Sequence, residues 1–157
     1  MKINLVAVGT KMPDWVDTGV AEYQKRLPRS FELVVTEIPL ARRSKANPDI
    51  DRLRDKEGKA LLNALSDGQF IVALDVKGKT WSTEAMAQKF EQVMGQGRDI
   101  ALLVGGPDGL SPECLAAADE KWSLSALTLP HTIVRIVVAE QVYRCWSVLA
   151  GHPYHRE

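Results

Sequence analysis

Four short, mostly apolar runs constrain this chain more than any other feature of its sequence. Residues 3–8, 31–38, 70–74 and 100–104 are rich in Ile, Leu, Val and Phe, and most do not alternate with polar positions. A strand with one wet face alternates, whereas a strand apolar on both sides must be covered on both sides. Segments of helical periodicity lie between these runs. From Asp14 onward Val16, Val20, Tyr23 and Leu27 share one face, and Pro28 closes the segment. Ile50, Leu53, Glu57, Ala60, Leu61, Ala64 and Leu65 trace a second helix that breaks at Asp67-Gly68. Ser82 is placed to cap a third, with Glu84 in its first turn and Met86, Phe90 and Val93 facing inward. Strand and helix in alternation predict an α/β fold with a parallel sheet covered on both faces.

Two stretches read as connections. Residues 76–79 form a turn after the third strand, and residues 40–49 form an exposed loop in which Arg42, Arg43 and Lys45 are interrupted by no acid. The 157 residues fit one core rather than two. No run approaches 18 apolar residues, which argues against a membrane span, and the apolar N-terminal run ends at Gly9 too early for a secretory signal. Cys114 and Cys145 form no CxxC pair, so reduced thiols in a cytoplasmic protein are expected. Twenty basic residues balance twenty acidic ones. Neutrality speaks against a nucleic-acid partner, but the charge is uneven. Residues 1–62 hold 12 Lys and Arg against 9 Asp and Glu, and residues 121–156 carry Lys121, Arg135, Arg144 and Arg156 against Glu140 alone.

The C-terminal third departs from the simple alternation. After the fourth strand comes Gly105-Gly106-Pro107-Asp108-Gly109-Leu110, then Ser111-Pro112-Glu113, a good helix start. A glycine-rich loop at a strand's carboxyl end is where open α/β sheets bind ligands, although a plain tight turn reads the same way. Neither GxxxxGK[ST] nor GxGxxG occurs, so phosphate-loop and dinucleotide signatures are missing. Residues 122–129 read as a further strand, and residues 132–150 as a helix ended by Gly151. From Ile133 to Ala150, 13 of 18 residues are apolar and cover nearly the whole circumference. Such a helix needs burial all round. One face on the sheet and another on a second subunit would supply it, which predicts a homodimer; a central helix of a monomer is the alternative.

The strings VAVGTKMPDWV, GGPDGLS, SALTLPH and HPYHRE, with the rest of the chain around them, carry a resemblance. The sequence resembles the SPOUT-class methyltransferases, on the branch that methylates N3 of a pseudouridine in 23S rRNA. The resemblance implies a single SPOUT domain over residues 1–157, with a Rossmann-like parallel sheet and a deep trefoil knot at the C-terminus, which nothing in periodicity shows. It also implies S-adenosylmethionine as cofactor, held by Leu74, Gly106, Ser125, Ala126, Leu127, Thr128, Leu129 and Pro130. It further implies a homodimer acting on assembled ribosomes. A non-catalytic ribosome-binding or assembly factor of the same fold is the competing reading.

Methylation of an imide nitrogen requires loss of its proton. His131, directly after the implied cofactor loop, and Glu140 are the candidates to accept it. A backbone-bonded His131 and a simple Glu140–Arg144 pair at i,i+4 are the blander readings. Arg135, in an apolar helix, needs a carboxylate or phosphate partner, and RNA phosphate or a base carbonyl is favoured. Tyr154, His155 and Arg156 in the tail, with Arg42 and Arg43, are the candidate RNA contacts, Tyr154 by stacking on a base. Cys145, His152 and His155 are too few ligands at the wrong spacing for a metal site.

Overall fold

Each of the apolar runs becomes a strand of one parallel sheet. The computed structural model describes residues 1–44 and 46–156, so Lys45 and Glu157 lie outside the described residues. In chain order the elements are β1 (Lys2–Val8), α1 (Asp14–Gln24), β2 (Glu32–Ile38), α2 (Ile50–Asn63), β3 (Phe70–Thr80) and α3 (Thr83–Gly95). They continue as β4 (Ile100–Val104), α4 (Pro112–Ala117), β5 (Glu120–Ser123), α5 (His131–Leu149) and a 3₁₀ turn over Pro153–Arg156. The strands lie in the order β2-β1-β4-β3-β5, every neighbouring pair parallel.

Successive residues of each strand point to opposite faces, and both faces are apolar here. Ile3, Leu5 and Ala7 of β1 pack with Val16 and Val20 of α1, Phe90 and Val93 of α3, and Val138, Ala139 and Val142 of α5. Val6 and Val8 point the other way, into a smaller cluster with Leu61 of α2 and Cys114 of α4. The α/β expectation with both faces covered is therefore met, with α1, α3 and α5 in one layer and α2 and α4 in the other.

Several boundaries differ from those read in the sequence, each for a local reason. Helix α1 stops at Gln24, and the chain reaches Pro28 through i→i+3 bonds from Arg26 to Tyr23 and from Leu27 to Gln24. Residues 76–79 are no free turn. They lie within β3, whose pairing with β5 jumps so that Trp122 faces both Leu74 and Lys79. The expected strand over residues 122–129 ends at Ser123. Beyond it the Ser123 hydroxyl donates to the Ser125 carbonyl and the Leu127 N–H donates to the Ser125 hydroxyl, both at 3.0 Å. Such local side-chain bonds compete with a ladder. Helix α5 closes at Gly151 (φ +67°), where His152 N–H donates to the Ser147 carbonyl and Gly151 N–H to that of Val148, a Schellman end. Burial around α5 is incomplete within one chain: Ile133 is 37% exposed, and Val134, Val137, Trp146 and Val148 are half-buried.

The two helices of the smaller layer meet at Gly58, where an added Cβ would lie 2.1 Å from the Ser111 hydroxyl and 2.8 Å from its Cβ. Gly58→Ala gains about 1 kcal/mol of helix propensity but overpacks this contact, a cost of about 3 kcal/mol. A fall in the urea unfolding midpoint is expected, and an unchanged midpoint would contradict this packing of α2 on α4.

Candidate active site

Two loops and the irregular middle of β3 meet at the carboxyl edge of the sheet and enclose a cavity of about 290 Å³, at the small end of the ~300–1,000 Å³ usual for ligand sites. Its wall is built from residues 74–76 of β3, residues 104–109 around the glycine loop without Asp108, residues 123–129 without Ala126, and Val134 of α5. This is where parallel sheets place ligands, because the loops leaving adjacent strands diverge and their backbone groups stay unpaired. The glycine loop is folded tightly on itself: Gly109 N–H donates to the Gly106 carbonyl at 3.0 Å. A Cβ on Gly105 would lie 2.5 Å from the Gly109 carbonyl carbon, so no larger residue fits the hairpin. Ser111 then caps α4, its hydroxyl accepting from Cys114 N–H at 3.2 Å.

The wall is mainly apolar, with Leu74, Val104, Leu124, Leu129 and Val134 offering a surface for a flat ring system. Asp75 is the one charged residue on the described wall, and its carboxylate accepts from Lys77 N–H at 2.8 Å. Val76 and Leu127, also on the wall, are 70% and 71% exposed. Apolar side chains so placed at a cavity rim leave area for an occupant to cover. An adenosyl group, with its aromatic ring, its hydroxyls and a positively charged centre, matches this set of apolar walls, backbone edges and one carboxylate.

Of the residues that the family resemblance assigns to a cofactor, Leu74, Gly106, Ser125, Leu127, Thr128 and Leu129 stand together on this wall. Ala126 and Pro130 belong to the same loop without reaching it, and His131 is exposed on the first turn of α5. Asp75 and Val76 are hidden in the sequence, because a Lys-Gly-Lys string directly after them looks like a turn. Gly105 and Val134 are legible there only as members of the glycine loop and of the apolar helix.

Other expectations are corrected. Arg135 is buried, with Nη1 donating to Glu37 at 2.6 Å and Nη2 to the Gly9 carbonyl at 2.7 Å. A carboxylate of its own chain, the other partner the sequence allows, meets its charge, and its Nε is buried without a partner among the described residues. Both oxygens of Glu140 are in use, one accepting from Arg144 Nε at 2.8 Å and the Tyr154 hydroxyl at 3.0 Å, the other from Gln141 at 2.7 Å. Glu140 thus anchors the tail, which removes the argument for it as a proton acceptor. Tyr154 is not an open stacking platform either: its ring lies 4.6 Å from that of Tyr143 and under the Arg144 guanidinium at 4.8 Å. Burial, and then the bond to Glu140, push its hydroxyl well above the usual tyrosine range.

Arg43 is held inside the chain. Its Nη2 donates to Glu57 at 3.0 Å and to Asp108 of the glycine loop, and Nη1 donates to the Ala41 carbonyl at 3.0 Å. Arg42 and Arg156 are exposed, and His155 is half-buried with Nδ1 enclosed and unpartnered. Both cysteines are free and buried, and desolvation raises both thiols. Among the described residues no helix is long and apolar enough to cross a membrane.

A family model described as predicted SPOUT methyltransferase matches residues 1–155. Among solved structures, a methylase family protein from Neisseria gonorrhoeae superposes with a TM-score of 0.54 at 19% identity, covering 90% of this chain and 81% of that one. A methylase family protein from Haemophilus influenzae Rd KW20 gives 0.54 at 13% identity, covering 96% of this chain and 69% of that one. At such identities the structural likeness concerns the fold alone.

Arg135→Leu removes two charge-assisted bonds and is expected to lower the unfolding free energy by about 1.5–3 kcal/mol, measured in urea. A wild-type midpoint in this variant would make Arg135 a candidate ligand contact again. Because the folded-state value of Tyr154 is raised, its contribution to stability is complete below about pH 10, the unfolded tyrosine value. It is lost as pH climbs from there through the folded value. Tyr154→Phe should therefore reduce the alkaline slope of stability, and an identical slope would show that Tyr154 ionises as freely as in the unfolded chain.

Proposed function

Because the chain belongs to the SPOUT methyltransferase family, we propose that it transfers a methyl group from S-adenosylmethionine to N3 of a pseudouridine in 23S rRNA. In this reading it acts in the cytoplasm as a homodimer on assembled ribosomes, with its C-terminal segment knotted through the cofactor loops. The observation that carries the cofactor reading is the convergence of the glycine loop, the loop over residues 123–129 and the middle of β3 on one apolar-walled cavity at the carboxyl edge of the sheet. The substrate and the ribosome rest on the sequence resemblance.

The cofactor supplies an electrophilic methyl group, and the protein's share is positioning and exclusion of water. Leu74, Leu124 and Leu129 would hold the cofactor's apolar ring, and the ends of β3 and β4 with the glycine loop would offer it backbone donors and acceptors. Asp75 would supply the one charge on the described wall to the ligand's hydroxyls or cationic centre, and Leu127 and Val76 would lose exposed apolar area to an occupant. Ser125 and Thr128 add hydroxyls to the same wall. The imide proton needs an acceptor, and in this reading His131, exposed at the start of α5 two residues beyond Leu129, is the candidate for it. The dimer reading is supported by the half-covered side of α5, with Ile133 exposed beside half-buried Val134 and Val137, and by Trp15 of α1, which is 52% exposed.

Calorimetric titration with S-adenosylmethionine and transfer of labelled methyl to ribosomes, compared with free 23S rRNA, test the reading. Binding and ribosome-dependent labelling at pseudouridine N3 are expected. No binding at millimolar cofactor sinks it. Leu127→Asp alters an exposed side chain and so should spare the unfolding midpoint. It should weaken cofactor binding at least tenfold, the equivalent of roughly 1.4 kcal/mol, which is within what burying one leucine side chain contributes.

A further inference from the structure

The basic loop and the cavity are not separate features, because one guanidinium joins them. Arg43 lies in the loop after β2, and its Nη2 is shared between Glu57 of α2 and Asp108 of the glycine loop. Glu57 is only 4% exposed, an acid set in the inward stripe of its helix. A carboxylate so buried is tolerated only with a cation or strong donors beside it, and Arg43 is the cation that reaches it. The glycine loop lies directly on the same carboxylate: a Cβ on Gly106 would come within 2.7 Å of Glu57 Oε2. On the far side of the guanidinium, Asp108 belongs to the loop itself. We propose that Arg43 is a positioning residue for the cofactor cavity, its guanidinium latching the glycine loop to α2 so that the wall formed by Gly105, Gly106, Pro107 and Gly109 keeps its shape. The inference rests on the reading of the cavity as an S-adenosylmethionine site.

The physical consequence of losing the latch is specific. Without the guanidinium, Glu57 and Asp108 present two carboxylates to each other beside Gly106, and like charges in a poorly solvated setting repel. Asp108 can relieve this by swinging outward and taking the loop with it, whereas Glu57, fixed in the middle of α2, cannot. The cavity wall is then what moves. Nη1 of the same side chain holds the Ala41 carbonyl, so Arg43 ties the segment carrying exposed Arg42 to the wall, beside Leu40, whose Cδ1 would lie 3.4 Å from a Cβ on Gly106. Any effect on cofactor affinity of a ligand bound to this segment would, by linkage, be matched by an equal effect of the cofactor on that ligand.

The test uses the full chain and calorimetric titration with S-adenosylmethionine, together with initial rates of methyl transfer. Arg43→Met should weaken cofactor binding at least tenfold, raising KM for the cofactor while kcat at saturation changes little. Arg43→Lys should recover only part of the loss, since a single ammonium does not reproduce the fork that serves two carboxylates. Adding Glu57→Gln to Arg43→Met removes the repulsion and should restore most of the affinity. Asp108→Asn leaves the buried Arg43–Glu57 pair intact, so it tests the loop end of the latch even if Arg43→Met folds poorly, and a several-fold weaker affinity is expected. A wild type that binds no cofactor overturns the proposed function. A wild type that binds, beside Arg43→Met and Asp108→Asn variants that bind equally well, overturns the latch alone. The latch is likewise overturned if affinity stays low in the Arg43→Met/Glu57→Gln variant while its unfolding midpoint is normal.

Discussion

The last helix has to return to the first strand, and the rest of the molecule depends on that docking. Helix α5 enters the layer already occupied by α1 and α3. It buries Val138, Ala139 and Val142 against Ile3, Leu5 and their neighbours. Without it the middle of that sheet face, the part formed by β1 and β4, would lie open between two helices. Arg135 fixes the angle of approach, because its two terminal nitrogens bond groups 98 and 126 residues earlier in the chain, the Glu37 carboxylate and the Gly9 carbonyl. Arg135 is buried and its partner Glu37 is 37% exposed, so losing the pair strands a group on each side, and the pair tolerates only one register. Since residues 124–130 run straight into α5, fixing the helix also fixes the loop that forms a third of the cavity.

The cavity is thus assembled from two kinds of structure. Its floor comes from β3 and β4, central strands whose ends are set by the sheet. Its lids are loops with few ladder bonds of their own, held instead by small local devices such as the Ser123 and Ser125 hydroxyls and the Gly106–Gly109 bridge. Rigid strand ends with lightly held loops are what a site needs if it is to close on a ligand and later release it. The latch at Arg43 fits this division, for it holds the glycine loop from outside and leaves the inner surface for the ligand.

Much of this architecture is legible in the sequence where one physical rule dominates. Apolar strands between helical periodicities lead to a parallel sheet with two covered faces, and Ser82 and Ser111 cap α3 and α4 as their positions predict. The wall residues at positions 74, 106, 125 and 127–129 come from the family resemblance rather than from spacing. Legibility fails where the outcome is decided between distant residues. No pattern near Arg135 shows that Glu37 waits 98 positions away, nor can the run Arg42-Arg43 reveal that one arginine points outward and the next inward to Glu57. Residues 76–79 fail for a different reason: a lysine-glycine string satisfies a turn and an irregular strand equally well, and only the pairing of β3 with β5 distinguishes them.

The fate of the cations bears on what a neutral protein can do with RNA. Arg43 and Arg135, which the sequence offers as RNA contacts, each sit against carboxylates of their own chain, as Arg144 sits against Glu140. Arg42, Lys121 and Arg156 remain exposed. Non-specific affinity for a polyanion grows with the number of phosphates neutralised and the counterions released, so a surface with this distribution attracts bare RNA only weakly. If RNA is the substrate, recognition must come from complementarity of shape, with several weak contacts engaged at once, and a second copy of the chain would double each of them. Under the proposed function, a folded ribosomal surface would offer such a shape and an unfolded transcript would not.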